Sequence, residues 1–226
     1  MYSLELITTG DGSHSLFVPE LNETYHSVHG AITESKHVFI KNGYRQLVSG
    51  KNPDKINILE IGLGTGLNVL LTLYENKKFM RDILYTAIEP YPIPETLLSK
   101  LNYHKIINIS GAERIFENIH RCPWNESIKF DEFFCLHKVN IKYQNYIPGI
   151  EQFDLIYYDA FAPGKQPALW DKNLIQKTAD SITSSGILVT YAAQGQLKRD
   201  LREAGLEVET LQGPPGKKEM TRAIKP

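Results

Sequence analysis

Cysteine is nearly absent from this chain of 226 residues: Cys122 and Cys135 are the only two, and neither stands in a Cys-x-x-Cys or Cys/His ligand spacing. That excludes a disulfide framework, gives no sign of a zinc site and fits a reducing cytoplasm. Long apolar runs are missing as well. No stretch approaches the roughly 20 residues of a membrane span, and the N-terminus "MYSLELITTGDGSHS" has no basic region followed by an apolar one. We therefore expect a soluble, unexported protein with no membrane partner. Nor is there an excess of charge of either sign: the formal net charge is −1, so a nucleic-acid partner would have to meet a local basic patch. With 42% hydrophobic residues and no internal repeat, low-complexity tract or linker, the chain should build one sizeable core.

Residues 1–55 read as an N-terminal extension. Polar and apolar positions alternate around "GDGS", where Asp11-Gly12 supplies the positive-φ residue of a tight hairpin turn. A helix-compatible block then runs from about Ala31 to a C-cap near Gly50. From residue 56, short apolar runs alternate with helical segments, the pattern of βαβ units on a parallel sheet. Seven strands are expected: "INILEIG", "ILYTAIE", "FFCLHKVNI", "FDLIYYDA", "GILVTYAA", "LEVETLQ" and "MTRAIKP". The last two are joined by "GPPGKKE", too short for a crossover helix, so they should pair antiparallel. Helices are expected at "GLNVLLTLYENK", "PETLLSKL", "LWDKNLIQKTADSITSS" and "QLKRDLREAG", the last closing on Gly205. Residues 105–128 break the alternation, and "GAERIFENIHRC" reads as an inserted helix. The α/β domain accordingly covers 56–226.

"ILEIGLGTGLN" places Gly62, Gly64, Thr65 and Gly66 between the first of these strands and a helix. Glycine there lets the chain turn sharply and a ligand approach closely. A dinucleotide fingerprint reads G-x-G-x-x-G, but here Leu67 takes the third glycine's place, which argues against a pyrophosphate ligand. Glu60, two residues upstream, suits a ligand carrying an ammonium group. Glu89 ends the second strand, where doubly wound folds put the acid that accepts from ribose hydroxyls. A purely structural turn, with Glu60 paired locally, is the blander alternative. The set E-x-G-x-G-x-G plus a strand-ending acid resembles the S-adenosylmethionine-dependent methyltransferases of the seven-stranded class. That resemblance implies a Rossmann-like α/β fold with a terminal antiparallel hairpin, here preceded by a β-hairpin and helix extension.

The fourth strand ends on a carboxylate and runs into an aromatic turn: "DLIYYDAFAPGKQPALW". Asp159 would stand on the rim of the ligand site, with Phe161, Pro163, Pro167 and Trp170 as flat, rigid surfaces suited to a planar group. Phe161 and Trp170 would serve equally well as core residues under the loop, and Asp159 as a cap or turn residue. "YYDAFAPGKQPALW" resembles the D-x-F-x-P-x-x-x-P-x-x-W signature of the MnmC-like family, the methyltransferase domain of the bifunctional enzyme that completes 5-methylaminomethyl-2-thiouridine in tRNA, and its stand-alone relatives. "GDGSHSLFVPELNETYHSVHGAITESKHVFI" and "TYAAQGQLKRDLREAGLEVETLQGPPGKKEMTRA" are similar to that family's terminal blocks, leaving only residues 100–130 outside the likeness.

This resemblance implies methyl transfer from S-adenosylmethionine to the exocyclic amine of 5-aminomethyl-2-thiouridine at the tRNA wobble position, with no metal and no flavin. The chain ends about where bifunctional members continue into a flavin oxidase, so the preceding step falls to a separate oxidoreductase or is unnecessary. Cofactor contacts are expected at Glu60, Gly62, Gly64, Thr65, Gly66 and Glu89. Asn140 in "KVNI" takes the place of the acid the class often has beside the adenine. Asp159 would orient the amine, since an ordinary carboxylate is a poor base for it. Tyr25, between hairpin and helix, is either a wall of the site or packing for the extension. Lys217, Lys218 and Arg222, with Lys198, Arg199 and Arg202, form the candidate RNA patch, diluted by Asp200, Glu203 and Glu219. The alternatives are a methyltransferase of the same fold acting on a small amine or another RNA site, and a module that binds S-adenosylmethionine without turnover. His26 and His29 have no companion ligands that would make them a metal pair. Oligomeric state is not legible.

Overall fold

The computed structural model describes residues 2–226. It begins with a small antiparallel sheet of β1 (Glu5–Thr8), β2 (His14–Val18) and β3 (Glu23–Thr24), whose first turn carries Gly12 at φ +81° as expected. A helical rod follows over 31–50: α1 (Ala31–Ser35), a π-helical stretch (Lys36–Tyr44) and α2 (Arg45–Gly50). Its N-cap, Gly30, offers no side chain, and the hairpin does the capping instead. Asp11 accepts from Thr33 N–H (2.8 Å), while Thr9 and Ser13 hydroxyls accept from Ala31 N–H (3.2 Å each). Burial works against the Asp11 charge, but hydrogen bonds from Ser13 and Thr33 outweigh it and hold the carboxyl down to about 2. The rod ends at Gly50, as expected, but its C-cap is Lys51. Gly50 is still helical, and the left-handed residue is Asn52 (φ +49°), a conformation asparagine tolerates.

Beyond the rod come β4 (Lys55–Ile61), α3 (Leu67–Asn76), β5 (Asp82–Ile88), α4 (Glu95–Leu98), α5 (Tyr103–Ile107), α6 (Ala112–Arg121), β6 (Ser127–Lys129) and β7 (Phe134–Val139). The chain finishes with β8 (Phe153–Tyr158), α7 (Lys172–Asp180), β9 (Ile182–Thr190), α8 (Gly195–Glu203), β10 (Glu207–Gln212) and β11 (Glu219–Ile224). These eight strands form one sheet in the order β10-β11-β9-β8-β4-β5-β7-β6. The five expected inner strands are parallel, and β10 and β11 pair antiparallel at the end. The fold is thus the expected α/β type with an antiparallel terminal hairpin, with one strand more than expected: β6, which pairs antiparallel with β7 at the edge.

Two expected helices are shorter than read. "PETLLSKL" keeps a single turn at α4, and α7 stops at Asp180 because Ile182 already pairs with Phe153 at the start of β9. An irregularity follows there, with Ser185 at φ +59°. Along β8, Leu155 and Tyr157 face a core shared with the 31–50 rod and α3, while Phe153, Ile156 and Tyr158 face one shared with α7 and α8. Burial on both faces is why this strand reads as an unbroken apolar run. Gly43 lets the rod settle on the sheet, since a Cβ there would lie 3.0 Å from Val189 and 3.2 Å from Tyr157.

Candidate active site

β4 and β8 lie side by side where the strand order turns back, and their carboxyl ends open on a cavity of about 480 Å³. The glycine turn is stitched to both neighbours of β4. Gly62 and Leu63 N–H groups donate to Ile88 O (3.0 and 3.2 Å), and Asp159 N–H donates to Ile61 O (3.0 Å). Gly62 has φ +95°, and a Cβ there would stand 2.6 Å from Asp159 O, so no side chain fits. Gly64, at φ +49°, lies directly under the Tyr25 ring, which a Cβ would press at 3.1 Å. Thr65 is buried, its hydroxyl accepting from Tyr103 at 3.2 Å, and Gly66 backs onto the His120 ring.

Three carboxyls gather around this turn. Glu89 accepts from Gly64 N–H (3.1 Å) and Tyr91 N–H (2.8 Å), yet burial still pushes it up to about 7. Asp159 lines the cavity. Burial first, then the Glu34 carboxylate, push it up to about 7 against a hydrogen bond from Asn68 and the Lys217 ammonium. Glu60 is fully buried and sits behind the cavity wall; burial and the Asp159 charge raise it well above the usual carboxylate range. Asn68 Nδ2 donates to Glu60 Oε1 and to Asp159 Oδ2, both at 2.9 Å, and so ties the hidden carboxyl to the one in the cavity. Asn140 is exposed and outside the cavity; its Nδ2 donates to Glu89 O at 2.8 Å and steadies that strand end.

The aromatic turn divides in two. Phe161 lines the cavity, edge-on to Tyr25 with ring centres 5.1 Å apart. Trp170 instead packs on Tyr158 in the second core, and its Nε1 donates to Phe161 O at 2.8 Å, bracing the turn from below. Pro163 is half-buried in the turn and does not line the cavity. The expected basic patch is mostly engaged. Arg222 pairs with Glu209, Lys198 with Glu219 (2.8 Å) and Lys217 with Glu34 (2.6 Å). Lys217 and Lys218 line a second, wider groove of about 990 Å³ that shares Tyr25, His26 and Tyr191 with the cavity. Among the described residues, no cluster of three or more His, Cys, Asp or Glu is placed to hold a metal ion.

Sequence reasoning missed Asn68, Glu34 and Tyr191. Asn68 had a signal, being a polar residue in the first turn of a helix whose every residue is buried.

The family model described as "S-adenosyl-L-methionine-dependent methyltransferase" matches residues 113–226. The chain belongs to this family. Curated relatives of the methyltransferase include the tRNA 5-methylaminomethyl-2-thiouridine biosynthesis bifunctional protein MnmC of Cupriavidus metallidurans, 26% identical over 97% of this chain and 33% of that protein. The same protein of Pseudoalteromonas atlantica is 28% identical over 90% of this chain and 31% of its own length. The methyltransferase thus spans about a third of the length of these relatives. Among solved structures, MNMC2 from Aquifex aeolicus superposes with a TM-score of 0.78 at 24% identity, covering 100% of this chain and 73% of that one. Spermidine synthase from Thermotoga maritima does so with 0.59 at 12%, covering 100% and 69%, a likeness of fold. No helix among the described residues of the methyltransferase is long and apolar enough to cross a membrane.

Proposed function

We propose that this methyltransferase moves a methyl group from S-adenosylmethionine to the exocyclic primary amine of 5-aminomethyl-2-thiouridine at the wobble position of tRNA. The observation that carries this reading is Asp159, a carboxyl raised to about 7 on the wall of a cavity otherwise built from the glycine turn, Glu89 and the Tyr25–Phe161 pair. The aligned relatives are named for the biosynthesis of the methylated product.

The cavity's residues fit the cofactor. Its volume lies in the range of small-molecule sites, and the turn brings bare backbone to its wall. Each Glu89 oxygen accepts one backbone N–H and keeps a lone pair for a hydroxyl. Gly62, Gly64, Thr65 and Glu89 would hold the cofactor, with Glu60, Gly66 and Asn140 shaping the turn and strand end from behind. When bound, S-adenosylmethionine supplies a methyl already activated by its sulfonium.

The chain's own task is to align the amine and free its lone pair. An ordinary aspartate is a weaker base than a lysine-like amine by ~3 million-fold; at about 7 the gap narrows to ~3,000-fold. Asp159 can therefore both orient the ammonium and take its proton. Tyr25 and Phe161 offer flat walls for a pyrimidine, and the adjoining groove gives the polynucleotide a way in. The test is transfer of labelled methyl to purified tRNA lacking the modification, followed by nucleoside analysis. Appearance of 5-methylaminomethyl-2-thiouridine supports the reading; label on another nucleoside, or only on small amines, overturns the substrate assignment.

A further inference from the structure

A polar link outside the cavity joins the two ends of the chain. Glu34, on α1, is 5% exposed; it accepts from Ser27 N–H at 2.6 Å and pairs with Lys217 Nζ at 2.6 Å, 183 positions away. Lys217 lies in the β10–β11 loop with its Nζ 3.7 Å above the centre of the Tyr191 ring. The Tyr191 hydroxyl in turn donates to Ala160 O at 2.8 Å, one residue past Asp159, and the ring borders cavity and groove alike. The loop itself is docked on the N-terminal block. His37 Nε2 meets Gln212 O at 2.8 Å, and Gly216 presses so closely on the His29 ring that no Cβ fits between them.

We propose that the Glu34–Lys217 pair is a positioning device for Asp159, holding Tyr191 and the Ala160 carbonyl in place and balancing the charge that Asp159 faces, rather than a phosphate contact for RNA. A phosphate would have to draw the ammonium off a buried carboxylate and leave that charge unpaired. Lys218, exposed on the groove, is the cation free to meet one. The surroundings of Asp159 make Lys217 distinctive. Glu60 on β4, Tyr85 on β5, Glu34 on α1 and Tyr191 beyond β9 are the acids and phenols whose charge bears on Asp159, while Glu89 just past β5, Tyr25 and His26 from the N-terminal block, and Lys142 line the same cavity. His26 is held neutral near pH 7, since burial pushes it down to about 4. Lys217 is the cation whose charge acts on Asp159, and Glu34 is the acid that both holds it and opposes it.

The sign of the effect supplies the test. In protein labelled with ¹³C-aspartate, with Asp159→Asn assigning the signal, Glu34→Gln should lower the Asp159 titration midpoint and Lys217→Met should raise it, each by roughly 0.5–1 pH unit. The double variant Glu34→Gln/Lys217→Gln, an amide facing an amide, should return to within ~0.2 of the parent. Shifts of both single variants in one direction, or no shifts, overturn the proposal. Should Lys217→Met fail to fold, Lys217→Arg keeps the charge and must keep the midpoint, while the double variant removes both charges. The activity readout rests on the tRNA reading above. There Lys217→Met should lower kcat ~10-fold or more with KM for tRNA nearly unchanged, because alignment is lost while RNA contacts remain. A rise in KM together with a salt slope reduced by about one marks a phosphate contact and overturns the proposal. Because the titration needs no substrate, it decides the matter even if the protein fails to methylate tRNA, a result that would count against the substrate reading alone.

Discussion

Replacing Asp159 by asparagine should cost activity and add stability, and the second effect should depend on pH. The carboxyl rises from an ordinary 3.8 to about 7 in the folded protein, chiefly through burial. Since the folded value is the higher one, the native state binds more protons than the unfolded chain between those limits. Stability present below pH ~4 is therefore lost as the pH rises through ~7. The difference between 3.8 and about 7 corresponds to a ceiling of ~4 kcal/mol at pH 8. Asp159 retains some contact with solvent at the cavity wall, and screening brings the expected cost nearer ~2 kcal/mol. Asparagine keeps an oxygen to accept from Asn68 and carries no charge to desolvate. Asp159→Asn should match the parent near pH 4 and exceed it by ~2 kcal/mol at pH 8, a rise in Tm of about 4–8 °C for a chain of this size. Methyl transfer should fall by ~10²-fold or more. Thermal and urea melts of both proteins from pH 4 to 8.5 measure this directly. A stability difference that does not change with pH, or a variant less stable than the parent at pH 8, would refute the burial argument.

The other predictions follow from the same turn. Gly62→Ala forces a Cβ against Asp159 O at φ +95°, so it should destabilise by about 2 kcal/mol or more; a Tm within a degree of the parent would contradict the geometry. Glu89→Gln replaces an acceptor of two backbone N–H bonds by a group with only one acceptor oxygen, and should weaken S-adenosylmethionine binding by ~10-fold or more in calorimetry. Unchanged affinity would remove Glu89 from the cofactor site. Asn68→Leu deletes the donor shared by Glu60 and Asp159; stability should fall by about 1–3 kcal/mol, and the acid limb of the pH–activity profile should move upward. An acid limb that stays in place would show that Asn68 does not hold the Asp159 charge.

The strands were legible because a parallel strand buried on both faces is a continuous apolar run, and "FDLIYY" and "INILEI" are such runs. The antiparallel end was legible from loop length alone. Element ends were less so. Ser185 at positive φ and the early pairing of Ile182 convert part of a helix-compatible stretch into strand, and Asn52 rather than Gly50 takes the left-handed position after α2. β6 was hidden within an irregular insertion, being three residues long and paired only at an edge.

By itself, the sequence determined the α/β architecture, the glycine turn, the acids that end the first strands and the resemblance to a methyltransferase family, because these depend on periodicity, local turn chemistry and spacing. Tertiary structure alone decided how deeply each carboxyl is buried. It placed Glu60 behind the wall and Asp159 in the cavity, although both sit at or near strand tips. It also sent Trp170 to the core, Phe161 to the cavity, and Lys217 to a carboxylate 183 positions away. Burial and long-range charge pairing depend on which segments meet in space, and proton affinity follows from both.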